Sequence, residues 1–141
     1  MKQVFTIQAL DELPKVAKAL LDFCGNTKKV TLTGEIGAGK TTLVKAIGRL
    51  LNIQDTVNSP TFAIINTYHN TQQKAIHHID LYRLETLEEA IDIGIEDYLY
   101  DDNWCFVEWS ELVESILPLT VVHVHIELDK HNGRIFKFTR S

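Results

Sequence analysis

The sequence predicts a three-layer α/β domain in which helices flank a central sheet of mixed parallel and antiparallel strands. Apolar, β-branched runs with the length of strands alternate with stretches of helical spacing, which is typical of parallel sheets joined by helices. A glycine-rich loop joins one of these strands directly to a helix. Two further pairs of strands have short polar connections, which indicate antiparallel pairing.

Local patterns define each element. The first helix follows a capping residue, Asp11 or Glu12, and carries Pro14 in its first turn. Ser110 is the predicted cap of the last helix. In chain order the predicted elements are a strand at 4–7, a helix at 13–24, a strand at 29–33, a helix at 42–51, strands at 62–69 and 74–81, helices at 87–93 and 95–99, a strand at 104–107, a helix from 110 that stops before Pro118, and strands at 120–128 and 134–139.

Residues 34–41, GEIGAGKT, match the phosphate-binding pattern G-x-x-x-x-G-K-[ST]. The strand before the loop and the helix after it are the context that this pattern requires. Glycines allow backbone angles and close approaches that a Cβ would block, so successive amides can point at an anion. The helix adds the positive end of its dipole. The loop residues predicted to bind phosphate are Gly34, Ile36, Gly37, Ala38 and Gly39.

Three polar residues at the start of the following helix complete this phosphate site. Lys40 supplies a mobile positive charge for the β- and γ-phosphates, Thr41 offers its hydroxyl to Mg²⁺, and Thr42 adds a further donor. The sequence therefore predicts a P-loop NTPase-like domain that binds a nucleoside triphosphate with Mg²⁺. The guanine-selective pattern Asn/Thr-Lys-x-Asp does not occur downstream of the loop, which favours ATP.

Length and composition restrict the class of protein. A chain of 141 residues fits one domain over 1–141, with little room for an inserted lid. The formal net charge is −5 and the basic residues are dispersed, which does not favour tight binding of nucleic acid by this chain alone. Without a membrane-spanning run or a signal-peptide core, we expect no membrane contact and a cytoplasmic location. The two cysteines lack metal-ligand spacing, so we expect reduced core thiols.

Hydrolysis by a P-loop protein also needs an acidic residue near Mg²⁺, usually at the end of a neighbouring buried strand. Asp80 follows the apolar run 75–79, and Glu108 follows the run 105–107. Both stand at the carboxyl ends of strands, where open α/β sheets place their ligands. Glu127 also follows a strand, but the alternating pattern of that strand predicts one face in water, so we expect Glu127 to be solvated.

Two further sets of polar residues give weaker signals. The NSPTF segment, which contains Thr61, follows the P-loop helix where many GTPases and ATPases place a segment that senses the γ-phosphate. Its pattern is equally compatible with that role and with a simple turn. His77 and His78 face opposite sides of one strand, whereas His123 and His125 share one face of another. Neither set has a third ligand at metal spacing, so ordinary strand histidines are predicted.

The chain resembles the bacterial TsaE family in motifs that occur in the family's order and spacing: GEIGAGKTT at 34–42, NSPTF at 58–62, HIDLYRL at 78–84, GIEDY at 94–98 and FVEW at 106–109. Many families share the P-loop, but the combination of SPTF, DLYR and VEW is specific. The resemblance extends from the P-loop to about residue 134. Glu35 stands where the family commonly has Asp.

The resemblance implies a small ATPase of the tRNA threonylcarbamoyladenosine pathway. Its implied partner is the TsaB–TsaD heterodimer, which transfers the threonylcarbamoyl group to the adenosine next to the anticodon, so contact with tRNA would be indirect. The resemblance implies phosphate and Mg²⁺ binding by Lys40 and Thr41, with Glu108 as the Mg²⁺-linked acid. The further residues that it places at or beside the site are Thr61 as a switch threonine, Asp80 as a second acid, Trp109, Gly133 and Arg134.

Three functions remain open on the sequence. The first is an ATPase that drives the catalytic cycle of a partner protein. We expect the isolated chain to hydrolyse ATP slowly, because no arginine is obviously positioned to contact the γ-phosphate. The second is a small-molecule kinase, although such kinases usually close an arginine-bearing lid over the phosphates. The third is a nucleotide-gated binding module in which hydrolysis is incidental. The arginines available to a lid are Arg49, Arg83, Arg134 and Arg140.

Overall fold

The structure, a computed structural model, describes residues 2–35, 39–53 and 64–141. The strands in the described residues are β1 (Lys2–Ile7), β2 (Lys29–Gly34), β3 (Ile65–His69), β4 (Ala75–Asp80), β5 (Trp104–Glu108), β6 (Val122–Leu128) and β7 (Arg134–Arg140). The α-helices are α1 (Leu13–Cys24), α2 (Lys40–Leu50), α3 (Leu87–Asp92) and α4 (Ile95–Leu99). Short 3-10 helices cover Leu10–Glu12 and Ser110–Ile116.

The seven described strands form one sheet in the order β1-β7-β6-β2-β5-β4-β3. Its centre is parallel, because β2 pairs in parallel with β5 and β6, and β5 pairs in parallel with β4. Its margins are antiparallel: β3 pairs with β4, and β7 pairs with β6 and with β1. The predicted mixed sheet and both predicted antiparallel pairs are therefore confirmed.

Helices cover the sheet on both sides, which confirms the three-layer prediction. On one side, α1 and α2 pack with each other and over apolar side chains of β2, β6 and β7. On the other side, α3, α4 and the second 3-10 helix enclose a smaller core over β4 and β5. Because strand side chains alternate between faces, His78, Asp80 and Glu108 lie on the side of α1 and α2.

The N-terminal helix has the predicted bounds, but the side chain at its cap position has a different role. Glu12 precedes α1, and its carboxylate accepts the backbone N–H groups of Gln8 at 2.8 Å and Ala9 at 3.0 Å. These two hydrogen bonds lower the pKa of Glu12. Glu12 is therefore at a predicted cap position, but its side chain stabilises the turn before α1 and makes no cap hydrogen bond to the helix.

The predicted cap at Ser110 is wrong. The segment Ser110–Ile116 is a 3-10 helix in which Ser110 is the first residue, and no side chain makes a cap hydrogen bond to it in the described structure. Trp109 precedes it with a φ of 57°, in the left-handed region. This turn directs the chain away from β5 immediately after Glu108, and the serine is therefore already inside the helix.

The predictions for the two cysteines and for Glu127 are also met. Cys24 and Cys105 are free and buried, and burial raises the pKa of each thiol to about 12. The Glu127 side chain is 42% exposed, and its pKa is lowered chiefly by the hydrogen bond from Lys137. None of the helices within the described ranges is long and apolar enough to cross a membrane.

Candidate functional site

The strand register brings the two predicted acidic residues together beside the P-loop strand. In β5, Glu108 is the Cα partner of Leu32 in β2 and of Asp80 in β4. All three strands are parallel, so their carboxyl ends meet at one edge of the sheet. Only 3% of the Glu108 surface is exposed. A buried carboxylate therefore lies at the edge where β2 leads into the P-loop.

The last loop glycine has a conformation and a neighbour that both favour glycine. Gly39 precedes α2 with a φ of 112°, which side chains with a Cβ rarely adopt. A Cβ there would lie 3.3 Å from Nε of Arg134, the first residue of β7. The predicted loop residues Ile36, Gly37 and Ala38 lie outside the described residues. The structure thus places Arg134 against the start of the P-loop helix.

Lys40 lies across the start of the loop. Its Nζ donates to the carbonyl oxygen of Gly34 at 2.5 Å and to that of Glu35 at 3.3 Å. The same atom is 4.5 Å from the ring centroid of Trp109, a cation–π distance. The Trp109 ring in turn packs against Tyr82, with 5.0 Å between their centroids. An ammonium group, two carbonyls and an aromatic pair therefore line this edge of the site.

The hydroxyl of Thr41 and the carboxylate of Glu108 are linked directly. Thr41 Oγ1 donates to Glu108 Oε2 at 3.3 Å, and His78 Nε2 lies 2.5 Å from the same oxygen. A hydroxyl and a carboxylate oxygen are hard donors of the kind that Mg²⁺ accepts. Mg²⁺ at nucleotide sites usually takes one or two protein ligands, with phosphate oxygens and waters as the rest. The donor set therefore fits a nucleotide-bound Mg²⁺.

A metal site made of protein ligands alone is not seen in the part of the chain that the structure describes. The described residues contain no group of three or more His, Cys, Asp and Glu side chains that could hold a metal ion. Phosphate oxygens and waters are the usual further ligands of Mg²⁺ at a nucleotide site, and a cation between Thr41 and Glu108 could bind them.

Asp80 lies on the same face as Glu108, at the end of the neighbouring strand. Its Oδ1 accepts the backbone N–H of Tyr82 at 3.0 Å. Burial raises the pKa of Asp80, and the nearby charge of Glu108 raises it further, while the Tyr82 N–H opposes the rise. Two carboxylates in adjacent, partly buried positions are an arrangement that can share a proton or a water molecule.

The other predicted residues take different positions. Thr42 is exposed on the first turn of α2. Gly133 lies in the turn before β7, where its N–H donates to Asp129 Oδ1 at 2.7 Å. Thr61 lies outside the described residues. The structure therefore brings Gly34, Gly39, Lys40, Thr41, Glu108, Asp80, Trp109 and Arg134 to one region of the sheet edge.

The sequence interpretation missed His78. It predicted that the two neighbouring histidines face opposite ways, which is confirmed, and it assigned ordinary strand roles to both. His77 fits that role, since it contacts Thr67 at 2.9 Å and Asp101 at 2.8 Å on the far face. His78 instead contacts Glu108. The available signal was its spacing from Asp80, because residues two apart on a strand share a face.

Comparison with known proteins agrees with this architecture. The family description "Threonylcarbamoyl adenosine biosynthesis protein TsaE" matches residues 7–136. A TsaE protein of Bacillus subtilis is 36% identical over 129 residues, covering 92% of this chain and 80% of that protein. A TsaE protein of Haemophilus influenzae is 43% identical over 98 residues, covering 70% of this chain and 61% of that protein.

A solved structure extends the similarity to the fold. The crystal structure of Bacillus subtilis YdiB superposes with a TM-score of 0.79 at 28% identity, covering 98% of this chain and 84% of that one. The family match spans most of the chain, and the two curated relatives are 36% and 43% identical to it over the aligned residues. The chain therefore belongs to the TsaE family of tRNA threonylcarbamoyladenosine biosynthesis.

Proposed function

We propose that this chain binds ATP with Mg²⁺ and hydrolyses it slowly, and that hydrolysis supports threonylcarbamoyl transfer to tRNA by the TsaB–TsaD heterodimer in the cytoplasm. The observation that carries the proposal is the 3.3 Å hydrogen bond from Thr41 to Glu108. This contact joins the first turn of the P-loop helix to a buried acid on the adjacent strand. The residues proposed to bind phosphate and those proposed to bind the metal ion are therefore adjacent.

Each residue has a role that follows from its position. The N-terminus of α2 and the ammonium of Lys40 attract the phosphates. Thr41 and Glu108 would hold Mg²⁺, which would neutralise negative charge on the phosphates. One of the two carboxylates, Glu108 or Asp80, orients the attacking water. The water oxygen bonds to the γ-phosphorus as the bond to the bridging oxygen breaks, and the proton of the water is released to solvent.

Slow turnover by the isolated chain is part of the proposal. P-loop proteins without an assisting partner hydrolyse nucleotide at roughly 10⁻⁴ to 10⁻² s⁻¹. The family resemblance implies TsaB–TsaD as the partner and Thr61 as a switch residue. Through this switch, hydrolysis would change the surface that contacts TsaB–TsaD. In this proposal the chain acts as one component of a complex with TsaB–TsaD, and its contact with tRNA is indirect.

The experiment measures ATP turnover by the purified chain with and without TsaB–TsaD, together with modification of unmodified tRNA. We expect turnover to rise when the heterodimer is added, and modification to require this chain. Brisk turnover by the chain alone, or full modification without it, would refute the proposal. Transfer of phosphate to a metabolite without the heterodimer would favour a kinase instead.

A further inference from the structure

A fully buried histidine lies directly behind the proposed Mg²⁺ ligand. We propose that His78 is a positioning residue, which fixes the carboxylate of Glu108 so that it can hold Mg²⁺ together with Thr41. This inference rests on the proposed function, because it concerns the same nucleotide site. It assigns a role to a buried side chain of β4 that lies outside the P-loop.

The contact between His78 and Glu108 is short and isolated from water. His78 has 0% exposure and Glu108 has 3%. Their atoms Nε2 and Oε2 are 2.5 Å apart, which is a strong hydrogen bond. The two strands also hold the pair in place, because His78 is the Cα partner of Phe106, two residues before Glu108. Alternation puts both side chains on the same face.

Two donors converge on one carboxylate oxygen. Oε2 of Glu108 is bonded by Thr41 from α2 and by His78 from β4. A carboxylate held from two directions has less freedom to rotate about its last bond than one held by a single hydroxyl. The orientation of a metal-binding carboxylate is commonly fixed by such hydrogen bonds, and loss of one typically weakens metal binding by about 10- to 100-fold.

The other ring nitrogen supports a specific role. Within the described part of the chain, Nδ1 of His78 is buried without a hydrogen-bond partner. Burying a polar atom in this way costs free energy that an apolar side chain of similar size would avoid. By contrast, both ring nitrogens of His77 have partners, Thr67 and Asp101. Packing alone therefore accounts poorly for an imidazole at position 78, whereas the bond to Glu108 accounts for it.

The test replaces His78 and measures Mg²⁺ binding without relying on turnover. Binding of ADP is titrated by calorimetry at a series of Mg²⁺ concentrations, for the wild-type chain, His78→Leu and His78→Gln. We expect His78→Leu to need about 10-fold more Mg²⁺ for half-maximal enhancement of ADP affinity. Affinity for ADP without Mg²⁺ should stay within about twofold, because the P-loop itself is unchanged. His78→Gln keeps an amide donor and should recover part of the loss.

Matched variants separate positioning from general damage to the fold. His77→Leu removes the neighbouring histidine of the same strand and should leave the Mg²⁺ requirement unchanged. Glu108→Gln should itself raise the requirement, and adding His78→Leu to it should cause little further change. If His78→Leu does not fold, the comparison of His78→Gln with the wild type decides the question in the same assay.

Three results would overturn the inference, and they are distinguishable from one another. If the wild-type chain binds no nucleotide with Mg²⁺, both the proposed function and this inference are refuted. If the wild-type chain binds ADP in a Mg²⁺-dependent way and the His78 variants show the same Mg²⁺ dependence, only the positioning role is refuted. Equal losses in the His77 and His78 variants would likewise contradict it, because they would indicate a disturbed strand.

Discussion

Replacing Gly133 by alanine tests how the turn before β7 is held against the rest of the sheet. A Cβ at this position would lie 2.7 Å from Asp129 Oδ2, 2.7 Å from the carbonyl oxygen of Ile7 and 2.8 Å from Gln8 Nε2. All three separations are shorter than van der Waals contact. The Ile7 oxygen belongs to the backbone of β1, so the clash cannot be relieved by rotating a side chain.

The expected cost follows from these contacts. Inserting a methyl group into a filled space costs about 1–3 kcal/mol. The N–H of Gly133 also donates to Asp129 Oδ1 at 2.7 Å, a bond that must lengthen when the turn moves. Weakening it adds about 1 kcal/mol. We therefore expect Gly133→Ala to lower the free energy of unfolding by about 2–4 kcal/mol, and the melting temperature by roughly 4–16 °C.

The assay is urea denaturation followed by circular dichroism, with Gly94→Ala as the control. Gly94 precedes α4 in the left-handed region with a φ of 82°, and an added Cβ would lie 3.8 Å from Asp97 Oδ2, an ordinary van der Waals distance. That variant bears only the backbone cost of the left-handed region, about 1–2 kcal/mol. If Gly133→Ala proves no less stable than Gly94→Ala, the packing described for this turn is incorrect.

Two further predictions concern other parts of the structure. Burial favours protonation of Asp101, but hydrogen bonds from Lys29 and its other neighbours prevail and lower its pKa. Its charged form therefore stabilises the fold at neutral pH, and this contribution is lost as pH falls below about 4. In urea titrations at pH 7, Asp101→Asn should lower the free energy of unfolding by about 1–3 kcal/mol. The difference in stability between this variant and the wild type should decrease at low pH, and a difference that stays constant would contradict the assignment. Because the Trp109 ring lies 4.5 Å from Nζ of Lys40, ADP binding should change its fluorescence. The change should vanish in Trp109→Phe and persist in Trp104→Phe, and the reverse pattern would place the nucleotide elsewhere.

The parts of the fold that follow from local patterns could be predicted from the sequence. Three such patterns depend only on residues that are close in sequence: the P-loop pattern, the apolar runs before Asp80 and Glu108, and the short connections between paired strands. The ends of β4 and β5 could be placed at the same edge of the sheet, because the carboxyl ends of parallel strands share one edge.

Features that depend on distant pairing could not be predicted. β1 pairs with β7, so that Lys2 lies opposite Thr139 near the other end of the chain. The contact between His78 and Glu108 depends on the register of β4 with β5, which no local pattern specifies. The capping rule failed at Ser110 because Trp109, in a left-handed conformation, occupies the cap position and Ser110 is the first residue of the 3-10 helix.

The most direct test of the proposed function separates nucleotide binding from turnover. Glu108→Gln keeps the size of the side chain and an oxygen near Thr41 while removing the charge, and Glu127→Gln changes a half-exposed glutamate at the end of β6 as the control. ATP binding at saturating Mg²⁺, ATP turnover with TsaB–TsaD and tRNA modification are measured for both. We predict that Glu108→Gln binds ATP but supports neither turnover nor modification, whereas Glu127→Gln supports both. Modification at the wild-type rate by a Glu108→Gln chain that does not turn over ATP would contradict the proposal and identify a nucleotide-gated binding module.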